Sequence, residues 1–130
     1  MSRQLLHTLT DIKLMALLIW HEARGESPIG KLAVAHVVIN RVGKRTWYGH
    51  SIRDVITKPY QFSAFNNDNF AFFYEPSCVA IAELALGGVT IDPTKGATHF
   101  HADYITPTWA SDMTHLLRIG RHLFYKANHE

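Results

Sequence analysis

The stretch His21-Glu22-Ala23-Arg24-Gly25-Glu26-Ser27-Pro28-Ile29-Gly30-Lys31-Leu32-Ala33-Val34-Ala35-His36-Val37-Val38-Ile39-Asn40-Arg41-Val42 contains the end of one apolar helix and nearly all of the next. Gly25 reads as a stop and Ser27-Pro28 as a restart, because serine caps a helix and proline fits its first position. Downstream, Leu32, Val34, Ala35, Val37, Val38 and Ile39 follow with few charges until Arg41, and Gly43 ends the helix. A helix this apolar belongs at the centre of its domain. Upstream, Leu9, Ile12, Leu14, Met15, Leu18, Ile19 and Trp20 share one broad face. Their spacing predicts a helix from about residue 9 to Ala23, with Thr8 and Asp11 as a capping box.

The rest of the chain is read outward from this pair. Ser51 to Lys58 predicts a short helix, with Ser51 and Asp54 at capping-box spacing. Pro59 to Tyr74 is irregular and rich in Asn and Phe, as in a long surface loop of the kind that often carries function. Pro76 opens a fourth helix that Gly87-Gly88 ends. Asp92 to Gly96 is a turn, Thr98 to Tyr104 a strand, and Leu116–Ile119 pairs with His122–Lys126 around Gly120. Helices first and a small antiparallel sheet last make a mainly helical α+β domain.

With 130 residues, 47% hydrophobic and 18% charged, the chain has the size of one globular domain spanning residues 1–130. No stretch reaches the roughly 18 apolar residues of a membrane-spanning helix, so no membrane insertion is expected. The N-terminus lacks the apolar run of a secretory signal, which predicts synthesis in the cytoplasm without one. Cys78 is the only cysteine, so no intramolecular disulfide can form. A net charge of +2 is too small for a nucleic-acid footprint but suits a mildly anionic polymer.

Glu22 ends a strongly apolar helix beside Trp20, His21 and Ala23, where desolvation raises a carboxyl pKa toward what a general acid needs. On these residues alone a solvated glutamate near a helix end is the commoner reading. The wider pattern changes the balance. The Glu22-Ala23-Arg24-Gly25-Glu26 segment and the Gly30–Val42 helix are followed in order by Gln61-Phe62-Ser63, Asp92-Pro93-Thr94-Lys95-Gly96-Ala97-Thr98-His99-Phe100, Pro107-Thr108-Trp109 and Ile119-Gly120-Arg121-His122-Leu123-Phe124-Tyr125. This order resembles the spore cortex-lytic and cell wall hydrolase family of the SleB/CwlJ type, from about residue 14 onward.

The resemblance implies a lysozyme-like fold related to lytic transglycosylases, with peptidoglycan glycan strands as substrate and Glu22 as the catalytic acid. It implies cleavage of the bond from N-acetylmuramic acid to N-acetylglucosamine, either by ring closure with the sugar's own C6 hydroxyl or by hydrolysis. Hydrolysis needs a second carboxylate, for which Glu26 is the candidate by sequence. The structural alternative has Glu26 favouring the N-terminus of the second helix, and Arg24 reads as an ion-pair or hydrogen-bond anchor of the same turn. Gln61, Phe62 and Ser63 offer an amide, a ring and a hydroxyl to an N-acetyl sugar. His99, Trp109 and Tyr125 are further candidate substrate contacts, with core packing the alternative for the two large aromatics.

A second constellation competes. In a strand, His99, His101 and Asp103 share a face, and two imidazoles with a carboxylate can ligate zinc, as a metallohydrolase or zinc amidase would require. The string resembles the H-x-H-x-D-H signature of metallo-beta-lactamase-type hydrolases but has Tyr104 where the last histidine belongs. His21-Glu22 does not continue into H-E-x-x-H, because position 25 is glycine. His36, inside an apolar helix, reads as a hydrogen-bonded core or cleft-edge residue. A third possibility is a wall-binding module without activity, against which the presence of Glu22 argues. The expectation is a monomeric, cofactor-free glycan-strand lytic enzyme, compact in the manner of a phage endolysin released by a separate membrane-lesion protein.

Overall fold

Three hydroxyl caps set the helix starts in a computed structural model that describes residues 3–45, 47–59, 61–62, 65 and 74–130. Thr10 Oγ1 accepts from Lys13 N (3.3 Å) and opens α1 (Asp11–Ala23). Ser27 Oγ accepts from Gly30 N (3.3 Å) and opens α2 (Pro28–Arg41). Ser51 Oγ accepts from Asp54 N (3.1 Å) and opens α3 (Ile52–Thr57). Each cap satisfies one of the amide groups that a helix start leaves without a partner. The cap expected at Thr8 lies two residues later. Thr8 donates its hydroxyl to Leu5 O (2.7 Å) and closes a 3₁₀ turn (Arg3–Thr8), which buries Leu6. α4 (Pro76–Leu86) starts on its proline without a capping side chain.

Leu14 to Ile19 of α1 are fully buried, so α1 is enclosed on all sides, as its nearly continuous apolar run requires. α2 is central in a different sense, because it is the seam between two cores. Ala35 and Val38 face the helical core of Leu6, α1, Val55, Ile56, Phe62, Phe65 and Cys78. Ala33 and Val37 face a second core of Ala97 and Phe124 under the sheet.

The sheet has β1 (His99–Ala102), β2 (Met113–Ile119) and β3 (His122–Ala127), all antiparallel, with β3 in the middle. Ile119 pairs with His122 around a two-residue turn, and Gly120 takes φ +57°, where only glycine sits without strain. The pairing expected around Gly120 is present. β2 starts three residues earlier than expected, at Met113, beyond an irregularity between His115 and Leu117. β1 is shorter than the predicted Thr98–Tyr104 strand and stops before Asp103.

Asp92 ties the sheet to α2. Its carboxylate accepts from Thr94 N (2.7 Å), Thr94 Oγ1 (2.7 Å) and Gly96 N (3.0 Å), and from Asn40 Nδ2 (2.8 Å), which also donates to Ala97 O (2.9 Å). Burial opposes the Asp92 charge, but the bonds from Thr94, Asn40 and Gly96 hold its pKa below the usual carboxylate range. The Asp92–Gly96 turn is therefore a clamp that delivers β1 beside the C-terminus of α2. No helix of the described residues is long and apolar enough to cross a membrane. The fold is the expected α+β, mainly α, with its small sheet near the C-terminal end.

Candidate active site

Glu22 lies in the last turn of α1, where the helix leaves the core, and borders a cleft of about 410 Å³ between the helices and the sheet. Its Oε1 is shielded from solvent while the residue as a whole is half-buried. Across the cleft lie Phe100, His101 and Ala102 of β1, Trp109 and His122, with Tyr104, Ile105 and Pro107 along the segment that follows β1. Arg41, from the last turn of α2, lies in the same wall as Gln61 and Phe62.

Of the residues singled out in the sequence, Glu22, Gln61, Phe62 and Trp109 line this cleft. His99 does not. It lines a smaller adjoining chamber with Arg41, Gln61, Phe100 and Trp109. Tyr125 is buried behind the cleft wall, stacked on His101 (ring centroids 5.2 Å) and edge-on to Trp109 (5.3 Å), a packed placement. Ser63 lies outside the described residues, as does most of the 59–74 loop.

Glu26 is turned away from the cleft. Its side chain is 8% exposed, and Oε1 accepts from Arg121 N (2.9 Å) in the β2–β3 turn, 3.8 Å from His122 Nδ1. Two glycines make the space: a Cβ on Gly30 would stand 2.9 Å from Glu26 Cβ, and one on Gly120 would overlap Glu26 Oε1. Beyond its expected place just before α2, where its charge favours the helix N-terminus, Glu26 thus bonds the hairpin, because Gly120 lets that turn approach. Arg24, expected as an ion-pair or hydrogen-bond anchor of this turn, has no ion pair among the described residues. Its guanidinium lies over the Trp20 ring, 4.5 Å from the centroid, a cation–π contact.

The sequence profile of the cell wall hydrolase family matches residues 25–125. The chain belongs to that family. The match starts three positions after Glu22, so family membership does not rest on that residue, which reaches the cleft on α1. Among relatives of this family member, the spore cortex-lytic enzyme of Halalkalibacterium halodurans is 35% identical over 88% of this chain and 34% of its own length. That of Bacillus subtilis is 32% identical over 88% of this chain and 37% of its own length. The chain therefore spans little more than a third of these relatives. Two solved structures match nearly end to end. The catalytic domain of the germination-specific lytic transglycosylase SleB from Bacillus anthracis has a TM-score of 0.77 at 30% identity, covering 89% of this chain and 93% of that one. The catalytic domain of the Bacillus cereus SleB protein has a TM-score of 0.72 at 29% identity, covering 89% of both. The fold is accordingly lysozyme-like, as the sequence motifs implied.

Three site residues of this family member had no assigned role in the sequence reading. Arg41 is 5% exposed, donating from Nε to Thr98 O (2.6 Å) and from Nη1 to Gln61 Oε1 (3.1 Å), with the Phe62 ring 5.0 Å and the Tyr48 ring 5.6 Å away. Burial lowers its pKa to about 10, against the opposing pull of Tyr48, Glu130 and Glu22, so it stays a cation at neutral pH. A charge closing an apolar helix was a legible signal; its burial was not. His122 is buried in the cleft wall with no hydrogen bond to Nδ1 among the described residues. Burial lowers its pKa, while Glu26 and Asp103 work the other way. Glu130, with a side chain 2% exposed, accepts from Thr98 Oγ1 (2.8 Å), Ala127 N (3.0 Å), Arg45 Nε (3.1 Å) and Tyr48 Oη (3.1 Å). Burial opposes its charge, and those four bonds hold its pKa low nonetheless.

His99, His101 and Asp103 do not form a common ligand set. The Ala102 carbonyl can only accept, so His101 Nδ1 donates to it (2.8 Å), and Nε2 accepts from the Tyr125 hydroxyl (2.9 Å). Asp103, beyond the strand end, pairs with Arg118 (2.7 Å) and Arg121 (3.8 Å). Among the described residues no three His, Cys, Asp or Glu side chains are grouped to hold a metal ion.

Proposed function

We propose that this chain cuts peptidoglycan glycan strands between N-acetylmuramic acid and N-acetylglucosamine, as a lytic transglycosylase with Glu22 as its acid. One observation carries the reading: Glu22 is the only carboxylic acid among the described residues lining the cleft, and Glu26 is committed to the hairpin behind it. A glycoside hydrolase needs a second carboxylate about 5 to 9.5 Å across the scissile bond. Supporting the substrate are the relatives, named spore cortex-lytic enzymes, and a structural neighbour named a lytic transglycosylase.

In the proposed reaction Glu22 gives its proton to the glycosidic oxygen as the bond from that oxygen to C1 breaks, leaving an oxocarbenium-like centre. The resulting carboxylate, in the field of the buried Arg41 cation, then takes the proton of the sugar's C6 hydroxyl as O6 bonds to C1. Protons balance with one carboxylate and no water is consumed. Gln61, Phe62 and Trp109 are placed to hold the strand. A bacteriolytic use of the phage-endolysin kind belongs to the same proposal, because cutting glycan strands opens the polymer that bears turgor.

Mass spectrometry of digested peptidoglycan tests this. Muropeptides should end in 1,6-anhydro-N-acetylmuramic acid, lighter by one water than the hydrolysis product and not reducible by borohydride. Mainly reducing N-acetylmuramic acid ends would replace transglycosylation by muramidase hydrolysis, and reducing N-acetylglucosamine ends would mean a different bond.

A further inference from the structure

Beside the main cleft is a chamber of about 250 Å³ lined by Arg41, Gln61, His99, Phe100 and Trp109, four of which also line the cleft. It lies below the roughly 300 Å³ at which small-molecule pockets begin, so it suits a substituent on a bound sugar and not a ring. Its polar groups have directions fixed by bonds already made. Gln61 must turn Oε1 toward Arg41, because a guanidinium cannot accept, and this leaves the Gln61 amide NH₂ as a donor. Arg41 has committed Nε and one proton of Nη1, which leaves further N–H groups. Thr98 gives its hydroxyl proton to Glu130, so it can only accept from His99 Nδ1 (3.0 Å). His99 is thereby fixed as the Nδ1–H tautomer, with a lone pair on Nε2.

We propose that this chamber is a recognition site for the 2-acetamido group of the substrate sugar, with His99 Nε2 accepting its N–H, Arg41 and Gln61 donating to its carbonyl, and the Trp109 and Phe100 rings taking its methyl. The proposal rests on the glycan-strand reading above and adds the specificity. Other substituents fit poorly. A free ammonium would stand beside the buried Arg41 cation, and a carboxylate would satisfy Arg41 but face the His99 lone pair. His99 also stays neutral at neutral pH: burial, and then Arg41, push its pKa down to about 4 against the pull of Glu130. The Glu130–Thr98–His99 chain makes Thr98 and Glu130 positioning residues, acting on the sugar only through the imidazole.

The test pairs fully N-acetylated peptidoglycan with the same polymer after enzymatic de-N-acetylation. Wild type should have a kcat/KM on the first at least about tenfold above that on the second, since a site built for a polar group rejects the analogue lacking it. His99→Ala should lower kcat/KM on the N-acetylated polymer roughly tenfold, mainly through KM, and change the other little, so that the ratio contracts. Equal wild-type rates on both polymers, or a His99→Ala loss of the same factor on both, would overturn the assignment. Calorimetry on the Glu22→Gln protein keeps the question separate from cleavage. It should prefer an N-acetylglucosamine tetramer to a glucosamine tetramer, and Glu22→Gln with His99→Gln should not. If wild type releases nothing from either polymer, the cleavage reading falls, and the presence or absence of that preference still decides the chamber.

Discussion

Gly120→Ala tests the clasp that turns Glu26 away from the cleft. The new Cβ would overlap Glu26 Oε1 and stand 3.1 Å from Cδ, at a φ of +57°. Backbone strain at that φ costs about 1–2 kcal/mol. The Glu26 side chain, 8% exposed and packed against Gly30, has no room to retreat while keeping its bond to Arg121 N. Losing that charge-assisted bond costs about 1.5–3 kcal/mol more. The sum, about 2.5–5 kcal/mol, is a large share of a typical stability of about 5–15 kcal/mol and should lower Tm by roughly 10 °C or more. Urea unfolding of wild type, Gly120→Ala, Glu26→Ala and the double variant forms a cycle. In the Glu26→Ala background the glycine change should cost only the backbone strain, giving a coupling of about 1.5–3 kcal/mol. If the two changes add to within about 0.5 kcal/mol, the clash does not act through the carboxylate and the clasp is wrong.

Glu22→Gln should keep its Tm within about a degree while activity falls by two to four orders of magnitude, about the range attributed to a general acid; substantial residual lysis by the folded variant would remove Glu22 from that role. Glu26→Gln, whose amide oxygen still accepts from Arg121 N, should retain most activity, and equal inactivation of both folded variants would favour a two-carboxylate hydrolysis. Acid should destabilise the fold well before ordinary carboxylates protonate. His99 titrates near 4 when folded and near 6.5 when unfolded, so the unfolded chain binds more protons between these values. Its contribution is complete above about pH 6.5 and is lost as pH falls toward 4, by at most about 3 kcal/mol. His36 and His122, also lowered chiefly by burial, act in the same direction. Urea midpoints should fall between pH 7.5 and 4.5, and less steeply in His99→Gln; a midpoint independent of pH over that window would refute the buried neutral imidazole.

Local chemistry was enough to mark where the helices begin and end. Ser27-Pro28 and Ser51 start helices because a serine oxygen and a proline ring act within one turn, whatever the rest of the chain does. Gly120 marked the hairpin for the same reason. The ordered motifs pointed to the family and to Glu22 at the end of α1. Long-range contacts decided the rest. Thr8 and Thr10 offer equivalent caps, and the burial of Leu6 selects Thr10. Glu26 stands four residues from Glu22, yet its partner is 95 positions away, and no spacing rule reaches that far. His99 and His101 look alike along a strand. Their neighbours make one an acceptor in a side chamber, through Thr98 and Glu130, and tie the other to Tyr125 and its own backbone. Arg41 could have ended its helix in solvent; β1, delivered by the Asp92 clamp, buries it against Thr98 instead. A carboxylate, imidazole or guanidinium takes its role from what surrounds it, and in this chain those surroundings come from residues distant in sequence.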